Sequence, residues 1–160
     1  MKKTTVAAAW LYVVAAATLL NSLLIHKYTR FIDLLVGLSF TQFIDAVFVG
    51  QRLEPPGSPY WWVDALPALL LDMLFIFLLL ILAVKVSHGR YRAAQVGFWL
   101  YAIDTVVFAL ILAASLAIFH VGLRQLGLGG LTVGAHAVGL FILFRAWRVA
   151  AAEQRVGSWR

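Results

Sequence analysis

The sequence predicts an all-α integral membrane bundle of about five transmembrane helices, and three observations carry that expectation. Of 160 residues, 63% are hydrophobic and 12% charged, against about 25% charged in an average soluble domain. The mean hydropathy is +0.92. The apolar residues also fall in runs of membrane-crossing length, about 20 residues, separated by short basic or Pro/Gly-rich segments. A small chain keeps much of its surface exposed when folded, so lipid must be the solvent for most of this one. The length suits a single domain over 1–160.

The first expected helix covers 5–25. Met1-Lys2-Lys3 followed by Thr4 to Leu20 has the form of a secretory signal, but the apolar run continues through Ile25, beyond a signal's core. The second covers 31–50 and stops where Pro55, Pro56, Gly57 and Pro59 forbid helix. Tyr60-Trp61-Trp62 then forms an aromatic cluster suited to headgroup level. The third covers 63–86, with Pro67 in its first turns, where proline is best tolerated. A basic loop from Lys85 to Arg92 leads into the fourth, 93–119, long enough to tilt. His120 to Gly130 holds four glycines and reads as a connector. The fifth covers 131–147, and 149–160 is a basic tail.

Five crossings place Lys2, Lys3, Arg52 and Arg124 on one side. Lys27, Arg30, Lys85, Arg90, Arg92, Arg145, Arg148, Arg155 and Arg160 fall on the other. The excess belongs in the cytoplasm. A multi-pass cell-membrane protein with its N-terminus outside and C-terminus inside is therefore expected, although Lys2 and Lys3 run against it.

Two stretches read alike: Gly37-Leu-Ser-Phe-Thr-Gln-Phe-Ile-Asp45 and Gly97-Phe-Trp-Leu-Tyr-Ala-Ile-Asp104. Each follows a loop with His and basic residues, and the match needs a one-residue slip. If it records a duplication, helices one and two form a hairpin that helices three and four repeat in the same orientation, as parallel repeats do in transporters. Chance similarity in a small apolar alphabet is the alternative. The second stretch, with Gly97, Tyr101-Ala-Ile-Asp104, His136 in the last helix and Arg145-Ala-Trp147 at its end, resembles small bacterial polytopic membrane proteins of unassigned function. The resemblance covers the latter third of the chain. It implies a polytopic membrane fold and no activity.

Several functions are excluded or unsupported. The charge of +6 and pI of about 10.1 come from loops and tails, with no basic stripe interleaved with stacking aromatics, so nucleic acid is not an expected partner. With no cysteine there are no disulfides, thiolate metal sites or thiol nucleophiles. Enzyme signatures are missing. Gly37-Leu-Ser39 lacks the second glycine of a nucleophile elbow, and Gly127-Leu-Gly129-Gly130 follows no strand, as a nucleotide loop would. The expectation is a non-enzyme with no implied cofactor.

Away from their ends, the expected spans hold three acids, Asp45, Asp72 and Asp104. A charged acid at the bilayer centre costs about 2.5–3.5 kcal/mol on insertion scales. Such residues face the protein interior, pair, or take up a proton. Helical spacing adds Gln42 beside Asp45 and Tyr101 beside Asp104, and His136 lies in the last helix. One reading gathers these six into a shared proton or cation site. The other makes them interhelical glue, worth about 0.6–2 kcal/mol each. Asp45, Asp104 and His136 form the one combination suited to a divalent metal, and a pigment or haem on His26, His88, His120 or His136 stays open. Lys27, Arg30, Arg90 and Arg92 read as a rim meeting anionic lipid headgroups. Gly130, Gly134, Ala135 and Gly139 place small residues four apart, which permits close helix approach. The expected function is a subunit or accessory of a larger assembly, or a self-associating membrane protein. The alternative is a small transporter or channel with an intramembrane Asp/His site.

Overall fold

The structure is a computed structural model that describes residues 3–28, 37–50, 61–118 and 123–157. Five helices make up nearly all of it: α1 (Lys3–Tyr28), α2 (Ser39–Gly50), α3 (Trp61–Ser87), α4 (Tyr91–Ile118) and α5 (Leu123–Gly157). Among the described residues there is no strand. Four helices, all but α2, are long and apolar enough to cross a membrane. Their outward faces carry large apolar side chains in the open, Leu74 at 65%, Phe77 at 67% and Leu110 at 66% exposure. In water such a surface would aggregate. In lipid it is the expected exterior.

The four long helices form a ring in the order α1, α3, α4, α5, and α2 is lodged between α1, α3 and α4. The α1 seam repeats every three or four residues through Ala7, Leu11, Val14, Thr18 and Asn21, all essentially buried. The facing α3 stripe runs through Ala68, Asp72, Ile76, Leu79, Ala83 and Val86. Alanine on both seams lets the backbones approach closely, which is how helices associate without a hydrophobic driving force. The α5 stripe keeps the same spacing through Thr132, His136, Gly139, Leu143, Ala146 and Ala150.

Helix α3 ends in a Schellman motif. Gly89 adopts φ +74°, the left-handed region that glycine enters without a steric cost. The Gly89 N–H donates to Val86 O at 2.9 Å and the Arg90 N–H to Lys85 O at 3.1 Å. The Arg90 carbonyl then accepts from Ala93 and Ala94, opening α4 antiparallel to α3. Contacts fix the other directions. Leu11 meets Gly97, and further along α1 Thr18 binds Leu38, whose near neighbour Phe40 binds Asp104. Helices α1 and α4 are therefore parallel. His136 bonds Asp104 while Gly129 packs on Leu112, so α5 runs back antiparallel to α4.

Four expectations need correction. The second expected span, 31–50, is not one continuous helix. Residues 37 and 38 are non-helical, and α2 has 12 residues, about 18 Å at 1.5 Å per residue against about 30 Å of hydrocarbon. It starts deep, beside Thr18 and Asp104, and rises toward the Tyr28 end of α1 and the Trp61 end of α3. With four crossings and one half-length helix, Lys3 and Gly157 come to the same end of the bundle, together with the 88–90 turn. The start of α1 and the end of α5 are thus not at opposite ends of the bundle. Nor do the two hairpins repeat in one orientation, because α1 and α3, which should correspond, are antiparallel. Finally, 123–130 is the start of α5 and not a connector. Glycine is common in membrane helices, and a Cβ on Gly129 would touch Leu112 at 3.0 Å.

Candidate functional site

The break at Gly37–Leu38 explains why polar side chains gather in this bundle. Non-helical backbone at membrane depth is tolerated only where its N–H and C=O groups find protein partners or a polar cavity. The Leu38 N–H donates to Thr18 Oγ1 at 2.9 Å, and Thr18 donates its own proton to Val14 O at 2.8 Å. The Leu38 carbonyl accepts from Thr41 Oγ1 at 2.8 Å. A Cβ on Gly37 would lie 2.7 Å from Asn21 Nδ2 and 3.3 Å from both Gln42 Nε2 and the Thr18 nitrogen. An added Cβ would have to displace the Asn21 amide and press on the Thr18 backbone, so glycine suits this close approach.

Leu38 sits at the N-cap of α2 and has no side-chain acceptor to offer. The missing cap comes from another helix: Phe40 N–H donates to Asp104 Oδ1 at 2.9 Å. That carboxylate also faces the positive end of the α2 dipole. Its second oxygen, Oδ2, lies 3.1 Å from His136 Nε2. His136 Nδ1 is 2.9 Å from Thr132 O, and a carbonyl can only accept, so Nδ1 carries a proton. The line between Nε2 and Oδ2 then holds one proton, whichever atom owns it. Tyr101 stacks on one neighbouring position of the imidazole at 5.0 Å and 7°, and Phe108 on another at 5.5 Å and 10°. Both ring nitrogens of His136 are engaged, so ligating a metal or haem there would break a hydrogen bond. Beneath Tyr101, Trp10 meets its ring edge-on at 6.4 Å. A Cβ on Gly139 would collide with Trp10 Nε1, so this glycine, unlike Gly130 and Gly134 with open space around them, serves close packing.

A second cluster lies higher, toward the Tyr28 end. Asp45, from the middle of α2, and Asp72, from α3, are both 0% exposed. Asp72 has Ser22 and Asp45 as polar neighbours, yet neither of its carboxylate oxygens is in hydrogen-bond geometry with a described residue. The Ser22 hydroxyl, 1% exposed, is likewise without such a bond.

The six expected residues therefore divide into two clusters. Asp104, His136 and Tyr101 assemble around the start of α2. Asp45 and Asp72 meet one to two turns away, and Gln42 lies over Gly37. The combination of Asp45, Asp104 and His136 does not form, and among the described residues no three His, Cys, Asp or Glu side chains are close enough to hold a metal. The expected lipid rim also divides. Arg90 and Arg92 stand by the 88–90 turn, whereas Lys27 belongs to the opposite end of α1, because α2 makes no full crossing. Arg30 lies outside the described residues, as do His120 and the Pro-rich stretch 51–60. Thr18, Asn21 and Ser22 were not expected. Their spacing of three and four in an otherwise apolar helix is the signal that points to them.

The fold and its membrane-length helices define an all-α helical membrane bundle, and the site places it among those with a buried polar interior. Comparison of the chain with protein-family models, curated protein sequences and solved structures returned no match.

Proposed function

We propose that this chain is a non-enzymatic, multi-pass protein of the cell membrane that binds a proton or small hard cation between Asp45 and Asp72. Asp72 carries the proposal. Interhelical glue needs well-formed bonds, and neither oxygen of this buried carboxylate meets hydrogen-bond geometry with a described residue, although the Ser22 hydroxyl and the Asp45 carboxyl lie beside it. A buried carboxylate beside a second carboxyl group, in apolar surroundings and with neither of its own oxygens in a hydrogen bond, does not remain a bare anion. A proton shared between them, or a cation held by carboxylate and hydroxyl oxygens, supplies the missing positive charge. Ser22 Oγ, buried and without a described partner, offers a third oxygen. The half-length α2 supports the same reading, since helices that end inside the membrane bring polar groups to midplane ion sites in transporters.

The orientation that fits this topology puts both termini in the cytoplasm. Among the described residues, Lys3, Lys85, Arg90, Arg92, Arg145, Arg148 and Arg155 lie toward the turn end, seven against Lys27 and Arg124 at the other, which follows the positive-inside pattern. A cysteine introduced near either end and labelled with an impermeant reagent tests it.

The functional test is flux in proteoliposomes carrying a trapped pH dye, with and without an imposed sodium gradient. Wild type is expected to move protons or sodium, and Asp72→Asn and Asp45→Asn to be silent while remaining folded. A folded wild type that moves neither ion, and whose thermal stability ignores both pH and sodium, removes the proposal. The second reading, a structural subunit or self-associating protein, is favoured by the Asp104–His136 cluster, in which all four carboxylate and imidazole heteroatoms hold helices together.

A further inference from the structure

The basic end of the bundle carries three adjoining depressions. One, of about 670 Å³, lies between the 88–92 segment and α5, among His88, Arg90, Arg92, Glu153 and Gln154. A second, about 480 Å³, shares Tyr91 and Gln154 with it and adds Gln95, Trp147 and Arg155. A third, about 610 Å³, shares Gln95 with the second and is apolar; it follows α4 through Val96, Trp99 and Ile103 to Asp104 at its deep end. Trp99 at 53% and Ile103 at 63% exposure leave this groove open sideways toward the bilayer.

We infer that the three together seat one anionic phospholipid of the leaflet at that end, its phosphate on Arg90 and Arg92 and one acyl chain along α4. Charge argues for the headgroup. Among the described residues, Arg90 and Arg92 line the first depression with one carboxylate, Glu153, and the Arg90 guanidinium has no ion pair or side-chain hydrogen bond. Arg92 uses Nε on Tyr91 Oη at 3.1 Å, which leaves its two terminal nitrogens for a phosphate. Tyr91 and Trp147 are the amphipathic aromatics expected at headgroup level. Continuity argues for a lipid over a soluble anion. From Gln95 to Val107 the third depression extends about 18 Å along the helix at 1.5 Å per residue, from the rim toward the bilayer middle, with almost no polar group before Asp104.

The test uses the full chain purified in an uncharged detergent, with lipid retention read by native mass spectrometry and thermal shift. Probes are phosphatidylglycerol, phosphatidylcholine and inorganic phosphate. Wild type is expected to prefer phosphatidylglycerol, and the exposed double variant Arg90→Gln/Arg92→Gln to bind it about tenfold more weakly or worse, since each basic side chain near a membrane surface adds about 1 kcal/mol. Val96→Trp, which fills the groove from its lipid side, should lower retention of both lipids without unfolding the protein. Equal retention of the two lipids overturns the inference, as does an unchanged preference in the double variant. A shift by inorganic phosphate equal to that by phosphatidylglycerol marks a soluble-anion site and overturns it too.

Discussion

The two buried polar clusters contain similar side chains and answer the membrane in opposite ways. Asp104 and His136 have every heteroatom partnered: Phe40 N–H and His136 Nε2 for the carboxylate, Thr132 O for the other ring nitrogen. A few residues higher in the same bundle, Asp72 is a carboxylate of similar burial, and neither of its own oxygens is in hydrogen-bond geometry with a described residue. Burial alone therefore does not tell what an intramembrane acid does. Bonding does: the Asp104–His136 pair fixes the start of α2, and the Asp72 carboxylate is left to take up a charge.

The comparison can be broken at its satisfied end first. Asp104→Ala removes the trans cap of α2 and leaves His136 Nε2 facing a void, and losing one partner of a buried pair costs about 3–5 kcal/mol. Unfolding in mixed micelles should show that loss. A change below 1 kcal/mol would mean that the pair is not holding the helices. Thr18→Val keeps shape but strands the Leu38 N–H in an apolar interior, an unsatisfied donor costing about 1–3 kcal/mol. Hydrogen exchange should report it, with faster exchange in the first turn of α2 than in α3. Asp104→Asn is milder. Its oxygen can still accept from Phe40 and its NH₂ can donate to His136 Nε2, so a loss under about 1 kcal/mol is expected from hydrogen-bond replacement. A loss as large as that of alanine would show that an ionised partner is required. Ser22→Ala should leave stability within about 0.5 kcal/mol, as changes away from a made contact do, because the Ser22 hydroxyl bonds no described residue. It should weaken sodium response if that hydroxyl is a cation ligand.

How much of this is legible in the sequence differs by element. The four long helices are, because a run of some twenty apolar residues has few other uses. Helix α2 is not. Residues 31–50 are apolar enough to suggest a full span, and hydropathy cannot register that Gly37 and Leu38 leave the helix at depth. That break exists because Thr18 and Asp104, distant in sequence, satisfy its backbone. Misplacing one crossing then carries through to the termini, the rim residue Lys27 and the supposed hairpin repeat. The acids and His136 stand out because charge in lipid is costly, while their division into two clusters depends on packing. Thr18 and Ser22 escape attention because hydroxyls pass unnoticed in membrane helices, bonding back to the preceding turn as Thr18 does to Val14. Phe108 is one of 11 phenylalanines, and nothing local marks it as the ring that stacks on a histidine.

The most direct measurement is the unfolding temperature of Asp72→Asn beside wild type, each taken across pH and with added sodium. Neutralising an uncompensated buried acid should raise stability and abolish its response to protons or sodium, whichever ion wild type responds to. A fall in stability with the ion response intact would make Asp72 a structural tie like Asp104, and the contrast between the clusters would be gone.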